Sequence, residues 1–376
     1  MKLNMGRLAA VSLVALAGAT VATPAAAQKI ENQYVCVFNP GLVGQGSVKA
    51  EANRSARAAG GNVKFTYERT IRGFAVNASA QGVANMQAKN PRIAYCEQDQ
   101  VYTTSAPPPG KGPGGGGGDD GGSQPSQTTP WGITRVGGGQ TGATGRALVL
   151  DSGVDLDHPD LNVNVGLSVN FTRDKNADDG NGHGTHVAGT IAAIDNNIGV
   201  IGIAPGVEVI GIKVLDRRGS GSTSGVIAGI EYAAQIANSN DVANMSLGGG
   251  FSQALNDAVI AAAQTGLRFA LAAGNESTSA TTKSPASANH PNIYTISSFA
   301  QGDNWSSFSN YGNPPVDYAE PGSGILSTYK GGGYATLSGT SMASPHAAGL
   351  LLLGAIRSGG TVNGDPDGNA DTIGIN

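Results

Sequence analysis

From about residue 126 onward, short apolar runs alternate with longer stretches of helical spacing. RALVLDSG (146–153), VEVIGIKVL (207–215), VANMSLG (242–248), RFALAAG (268–274) and NIYTISS (292–298) read as strands with little polar alternation. Between or after them, HGTHVAGTIAAI (183–194), STSGVIAGIEYAAQIAN (222–238), SQALNDAVIAAAQ (252–264) and GTSMASPHAAGLLLLGAIRS (339–358) read as helices. Near-continuous apolar strands alternating with helices predict an α/β fold, a mostly parallel sheet with helices on both faces. In such a sheet, ligand-handling side chains belong at the carboxyl ends of the strands.

The earlier part of the chain has a different rhythm. YVCVF (34–38), KFTYE (64–68), GFAVNA (73–78) and IAYCEQDQVY (93–102) read as strands, and SVKAEANRSARAAG and AQGVANMQAK as helices between them. The order β-α-β-β-α-β predicts a small ferredoxin-like α+β unit. Its first and last strands are then antiparallel neighbours, which places Cys36 beside Cys96. In an exported protein that pair is either a cross-strand disulfide or two buried thiols.

Two segments fall outside this patterning. Lys2 and Arg7 precede the apolar run 8–21, and Ala25, Ala26 and Ala27 supply small residues for cleavage. Residues 1–27 are thus a signal peptide, with a run too short to span a bilayer. The product is expected outside the cytoplasm, extracellular or periplasmic, with no membrane attachment after signal removal. PPPGKGPGGGGGDDGGSQP (107–125) holds no side chain worth burying and reads as a tether. The expected organisation is signal 1–27, small unit 28–105, linker 106–125 and large unit 126–376.

Composition narrows the classes. Two cysteines in 376 residues exclude a disulfide-stapled miniprotein and a cysteine-based metal framework. With 39% hydrophobic and 13% charged residues, the chain is neither a disordered polymer nor a nucleic-acid binder. The net charge of −4 conceals an asymmetry: 28–105 holds 9 basic and 5 acidic residues, 126–376 holds 11 and 20. The two units are expected to attract each other. A GxGxxG pattern at Gly137, Gly139 and Gly142 precedes a strand instead of following one, so a dinucleotide site is rejected.

Three polar blocks fall where the parallel sheet wants its chemistry. Asp151 ends an apolar strand, His183 opens a helix after a Gly-rich approach, and Ser341 opens the last long helix. A hydroxyl becomes a nucleophile when a positioned base removes its proton, imidazole suits that task, and a carboxylate orients the imidazole. With these blocks in place, the chain resembles the subtilisin-like serine proteases. Asp151-Ser152-Gly153, the run from His183 to Thr190 and the run from Gly339 to His346 match the family's three active-site blocks in the family's order. The resemblance extends from about Gln127 to Ser358.

The resemblance implies a secreted serine endopeptidase with Asp151 as orienter, His183 as general base and Ser341 as nucleophile. Ala272-Ala273-Gly274-Asn275 matches a fourth block, which makes Asn275 the donor to the oxyanion. Substrate would lie between Gly219-Ser220-Gly221 and Ser246-Leu247-Gly248, with a specificity pocket completed by Ala272, Ala273 and Gly274 and with Glu276 at its rim or exposed and inert. The small unit is similar to the family's inhibitory propeptide, with cleavage near Ser105. A structural calcium ion is implied at the loop 194–200, held by the carbonyls of Ile194, Ile198 and Val200, the side-chain oxygens of Asn196 and Gln127, and the Asp160 carboxylate. The rival class is a non-catalytic secreted peptide-binding scaffold of the same fold, but every catalytic position carries the competent residue. Protein or peptide substrates and the chain's own propeptide are the expected partners of a monomer.

Other patterns are read as structural. His186, three residues after His183, is expected to pack or bond locally. Asp174, Asp178 and Asp179 are expected to form a solvated acidic loop. The sequon at Asn170 is expected to carry no glycan, since the Ala-rich signal looks bacterial. With only 35 residues after Ser341, edge strands common in the family are expected to be missing.

Overall fold

The computed structural model describes residues 28–104 and 124–376. The predicted signal peptide, most of the predicted linker and Ser105 lie outside them. Residues 28–104 fold as β1 (Lys29–Phe38), α1 (Val48–Ala58), β2 (Asn62–Tyr67), β3 (Gly73–Asn77), α2 (Ala80–Lys89) and β4 (Ile93–Thr104). The antiparallel order β4-β1-β3-β2 is that of a ferredoxin-like unit. Because side chains alternate across a strand, β1 serves two cores. Cys36 and Phe38 pack under α1 and α2 with Phe74, Val83 and Met86. Val35 and Val37 face the large unit with Tyr67 and Ala75. Cys36 lies opposite Cys96 and is bonded to it.

The large unit contains α3 (Trp131–Arg135), β5 (Ala147–Asp151), β6 (Val169–Asn170), α4 (His183–Ala192), β7 (Val209–Lys213), β8 (Ser220–Ser222), α5 (Thr223–Ile236), β9 (Val242–Met245), β10 (Leu247–Gly250), α6 (Gln253–Ala263) and β11 (Arg268–Ala272). There follow β12 (Lys283–Ser284), β13 (Ile293–Ala300), β14 (Asn304–Trp305), β15 (Val316–Pro321), β16 (Ile325–Tyr329), β17 (Gly333–Leu337), α7 (Thr340–Leu353), β18 (Arg357–Thr361) and β19 (Thr372–Ile375). The main sheet runs β18-β19-β15-β13-β11-β9-β5-β7-β6. It is parallel except where β18 pairs with β19 and β14 with β13. Every residue of β5 is buried. Leu148 and Leu150 pack with Ile227, Ile230 and Val259 of α5 and α6, while Ala147 and Val149 pack with Val187, Ile191 and Leu351 of α4 and α7. This two-sided burial is why the strand reads as one apolar run.

Three boundaries differ from the sequence reading. The helix expected over 339–358 ends at Leu353, and the chain then turns into β18, which pairs with β19 on the sheet edge. The short tail therefore supplies edge strands. The strand expected over 242–248 is split at Ser246 into β9, in the main sheet, and β10, outside it. The end of the predicted linker is built into the large unit: the Gly199 amide donates to the Pro125 carbonyl at 2.8 Å, and Ser126 bridges to Ile198.

Candidate active site

Asp151 ends β5 and is fully buried. Its Oδ1 accepts from the Ser152 amide at 2.7 Å and faces His183 Nδ1 at 2.8 Å. An acceptor on Nδ1 places that nitrogen's proton on the carboxylate side and leaves Nε2 as the basic lone pair. Nε2 is buried with no hydrogen-bond partner among the described residues. His183 opens α4 behind Gly182, whose φ of +106° and contact with the Tyr329 ring, 2.4 Å from where a Cβ would sit, require glycine.

Ser341 is the second residue of α7, which packs against α4. Its hydroxyl donates to the Ser246 carbonyl at 3.0 Å, and the Ser246 hydroxyl donates to the Ser341 carbonyl at 2.8 Å. This reciprocal tie explains why the chain breaks at Ser246 between β9 and β10. Of the first amides of α7, Thr340 donates to Asn275 and Met342 to the Gly339 carbonyl, so the Ser341 amide is the donor offered at the positive end of the helix dipole. Asn275 is fixed beside it: its Oδ1 accepts from the Thr340 amide at 2.8 Å and the Thr340 hydroxyl at 3.0 Å. Thr340 in turn accepts from the Gly274 amide at 3.1 Å. Nothing in the sequence reading pointed to Thr340; its place immediately before Ser341 was the available signal.

The segments expected to bind substrate hold part of this chain. The end of β4 runs antiparallel between β8 and β10, with Tyr102 opposite Gly221, Thr103 opposite Ser220 and Gly248, and Thr104 opposite Leu247. The Thr104 amide donates to the Gly219 carbonyl at 2.9 Å. Tyr102 lies over Gly249, where a Cβ would sit 2.9 Å from the ring, and donates to the Gly250 carbonyl at 2.7 Å. Ala272 closes β11, Ala273 and Gly274 follow it, and Gly274 has φ +107° with Asn310 2.2 Å from a Cβ position. Glu276 is not a free rim carboxylate: Asn310 donates to it at 2.7 Å and Lys283 lies 3.4 Å away.

Carboxylates dock the small unit onto the large one. Glu97 accepts from the Ser252 hydroxyl and the Gln253 amide at the start of α6, and burial raises its carboxyl above the usual range. Asp99 accepts from the Ser224 amide at 3.1 Å at the start of α5. Acids at helix N-termini satisfy orphan amides and the dipole. In the reverse direction, Glu231 accepts from the amides of Glu68, Arg69 and Thr70 at 2.7–3.0 Å. Among the described residues no ion pair joins the two units. The opposite net charges thus give no contact pairs; hydrogen bonds to backbone and hydroxyl groups and apolar packing carry the docking. These caps join residues more than 120 positions apart, so no local pattern could announce them.

The acidic loop is solvated at Asp178, as expected, but not at Asp179, and Asp174 is half-buried. Asp179 is buried and accepts from Ser152, Thr185 and the Gly182 amide, and Asp178 accepts from the Leu156 amide. Asp174 faces Lys213, which is fully buried and also donates to the Ser152 carbonyl. His186 packs, as one of the two expected readings had it, and its bonds are long-range: its Nε2 donates toward the carbonyls of Ile325 and Ala335, and burial lowers its pKa to about 3.

The residues expected around calcium are joined to one another by hydrogen bonds. The Gln127 side-chain amide lies 2.8 Å from the Ile194 carbonyl and 3.4 Å from that of Val200. The fully buried Asp160 accepts from the Asn196 side chain, the Val200 amide and the Tyr334 hydroxyl, and Asn196 Oδ1 accepts from the Ile198 amide. Two main-chain carbonyls aimed at one side-chain amide beside a buried carboxylate fit a hard, oxygen-seeking cation once the Gln127 amide turns its oxygen inward.

Comparison with known proteins agrees with this geometry. The subtilase family profile matches residues 148–355. Subtilisin-like protease 7 of Arthroderma gypseum is 38% identical over 368 residues, covering 90% of this chain and 86% of that protein. Subtilisin NAT of Bacillus subtilis subsp. natto is 36% identical over 331 residues, covering 86% and 80%. The crystal structure of a cold adapted subtilisin-like serine proteinase superposes with a TM-score of 0.54 at 40% identity, covering 63% of this chain and 89% of that one. With a matching profile, relatives alike over 80% or more of their length and an α/β scaffold holding aspartate on histidine, the chain belongs to the subtilase family of serine endopeptidases.

Proposed function

We propose that the protein is a secreted subtilase made as a self-processing precursor, cutting peptide bonds through an acyl-enzyme at Ser341. The observation that carries this reading is the Asp151–His183 pair, 2.8 Å apart, beside a cleft filled by the chain's own β4. His183 Nε2 takes the Ser341 proton as the oxygen attacks the carbonyl carbon, Asp151 holds the imidazolium, and the proton then passes to the leaving amine. Asn275 and the Ser341 amide receive the oxyanion. Main-chain pairing with β8 and β10 makes recognition tolerant of sequence, as β-strand addition does elsewhere. Residues 28–105 act as an inhibitory propeptide whose bond near Ser105 is the first one cut. Gln127, Asp160, Ile194, Asn196, Ile198 and Val200 hold a structural calcium ion, which ties residues on both sides of α4 into one body.

Labelling tests the nucleophile. A fluorophosphonate reagent is expected to modify the processed protein at one peptide, the one containing Ser341, and to leave Ser341→Ala unlabelled. Labelling elsewhere, or of Ser341→Ala to the same extent, contradicts the assignment.

A further inference from the structure

Both cysteines of the chain lie in the small unit, and residues 105–376 contain none. They join β1 to β4, and β4 is the strand that grips the protease. Glu97, next to Cys96, holds the start of α6; Asp99 holds the start of α5; residues 101–104 occupy the cleft. The bond lies on the face of the small sheet that packs under α1 and α2, whereas Val35 and Val37 point to the protease. Docking therefore does not bury it under the large unit. Cys36 is fully buried, and Cys96 is partly exposed. A unit this small has a limited core, so a cross-link between residues 60 positions apart is a large share of its stability.

We propose that Cys36–Cys96 is a thiol–disulfide exchange site through which a dithiol sets how fast the propeptide releases the protease, an inference that rests on the inhibitory reading above. A thiolate of the dithiol attacks Cys96 Sγ, and Cys36 leaves as a thiolate and takes a proton. The second thiol of the reagent then displaces Cys96, so the dithiol is oxidised to its disulfide while both cysteines end as thiols. Without the cross-link, β4 is held to β1 only by its ladder, the side-chain bonds of Gln98 and Gln100 and the packing of Ile93, and the strand in the cleft detaches and is digested sooner.

The test follows the full chain, folded and oxidised, after it has processed itself. It is diluted into a chromogenic peptide with or without dithiothreitol, and the lag before full activity is read. Because the protease unit has no cysteine, the reagent addresses one bond only. The expected result is a lag shortened roughly tenfold or more, a part of the closure entropy of such a loop, with two alkylatable thiols per chain by mass. The variant carrying Cys36→Ala and Cys96→Ala together is expected to show the short lag with and without the reagent. An unchanged lag with both thiols alkylated, or a bond that stays intact under dithiothreitol, overturns the proposal and leaves the inhibitory propeptide standing. No lag in either redox state overturns the inhibitory reading and this inference with it.

Discussion

Asn275 keeps its carbonyl oxygen on Thr340, at 2.8 and 3.0 Å, so its orientation is set before any substrate arrives. A donor fixed in this way stabilises charge that develops only during reaction. Asn275→Ala is therefore expected to lower kcat by roughly a hundred- to a thousandfold with little change in KM, a magnitude taken from the family and not from this geometry. Steady-state kinetics on a peptide substrate read the split. A fall confined to KM would remove Asn275 from oxyanion binding. The same scale shows why Asp151, His183 and Ser341 were legible in the sequence: one ends an apolar strand, the other two open helices, and each sits in a motif block. Thr340, Lys213 and Glu231 were not, because their partners are set by tertiary packing.

Among the elements, the C-terminal strands make the pH prediction. Asp371, buried in the β18–β19 connection, accepts from the side chains of Ser297 and Asn313, yet burial pushes its carboxyl up from 3.8 to about 6. A carboxyl raised on folding binds its proton more tightly in the native state. Its contribution is therefore full below about pH 4 and is lost as pH rises through about 6. The shift corresponds to a loss on the order of 3 kcal/mol. Asp371→Asn removes the titration, so thermal melts in the inactive Ser341→Ala background should show the variant gaining on its parent between pH 4 and 7. A pH-independent difference between the two would refute this account of the edge. These strands were also the least legible elements. TIGI and RSGGT are short, half-exposed and rich in glycine, and β15 to β17 mix Pro, Gly and polar residues. By contrast β5, β7 and β9, buried on both faces, announced themselves.

For the molecule as a whole, the proposed calcium ion is a device that favours the folded state. An ion bound only to the native protein raises its melting temperature. Ser341→Ala precursor is expected to melt higher in excess calcium than in chelator; equal melting temperatures, with no calcium by elemental analysis, would leave the Gln127–Asp160 cluster as a hydrogen-bonded turn. The fold of the small unit was readable from its β-α-β-β-α-β order, but the side-chain contacts that dock it were not: net charge predicted attraction, and the contacts are helix caps, a strand ladder and apolar packing.

The central claim is that Ser341, served by His183 and Asp151, cuts the chain that occupies its own cleft. The intact mass of purified full-length protein, followed over time for the parent and for Ser341→Ala, tests it most directly. The account predicts that the parent separates into two fragments near Ser105 and that Ser341→Ala, folded with β4 in place, keeps the uncut mass. Cleavage of Ser341→Ala at the same bond and the same rate would contradict it.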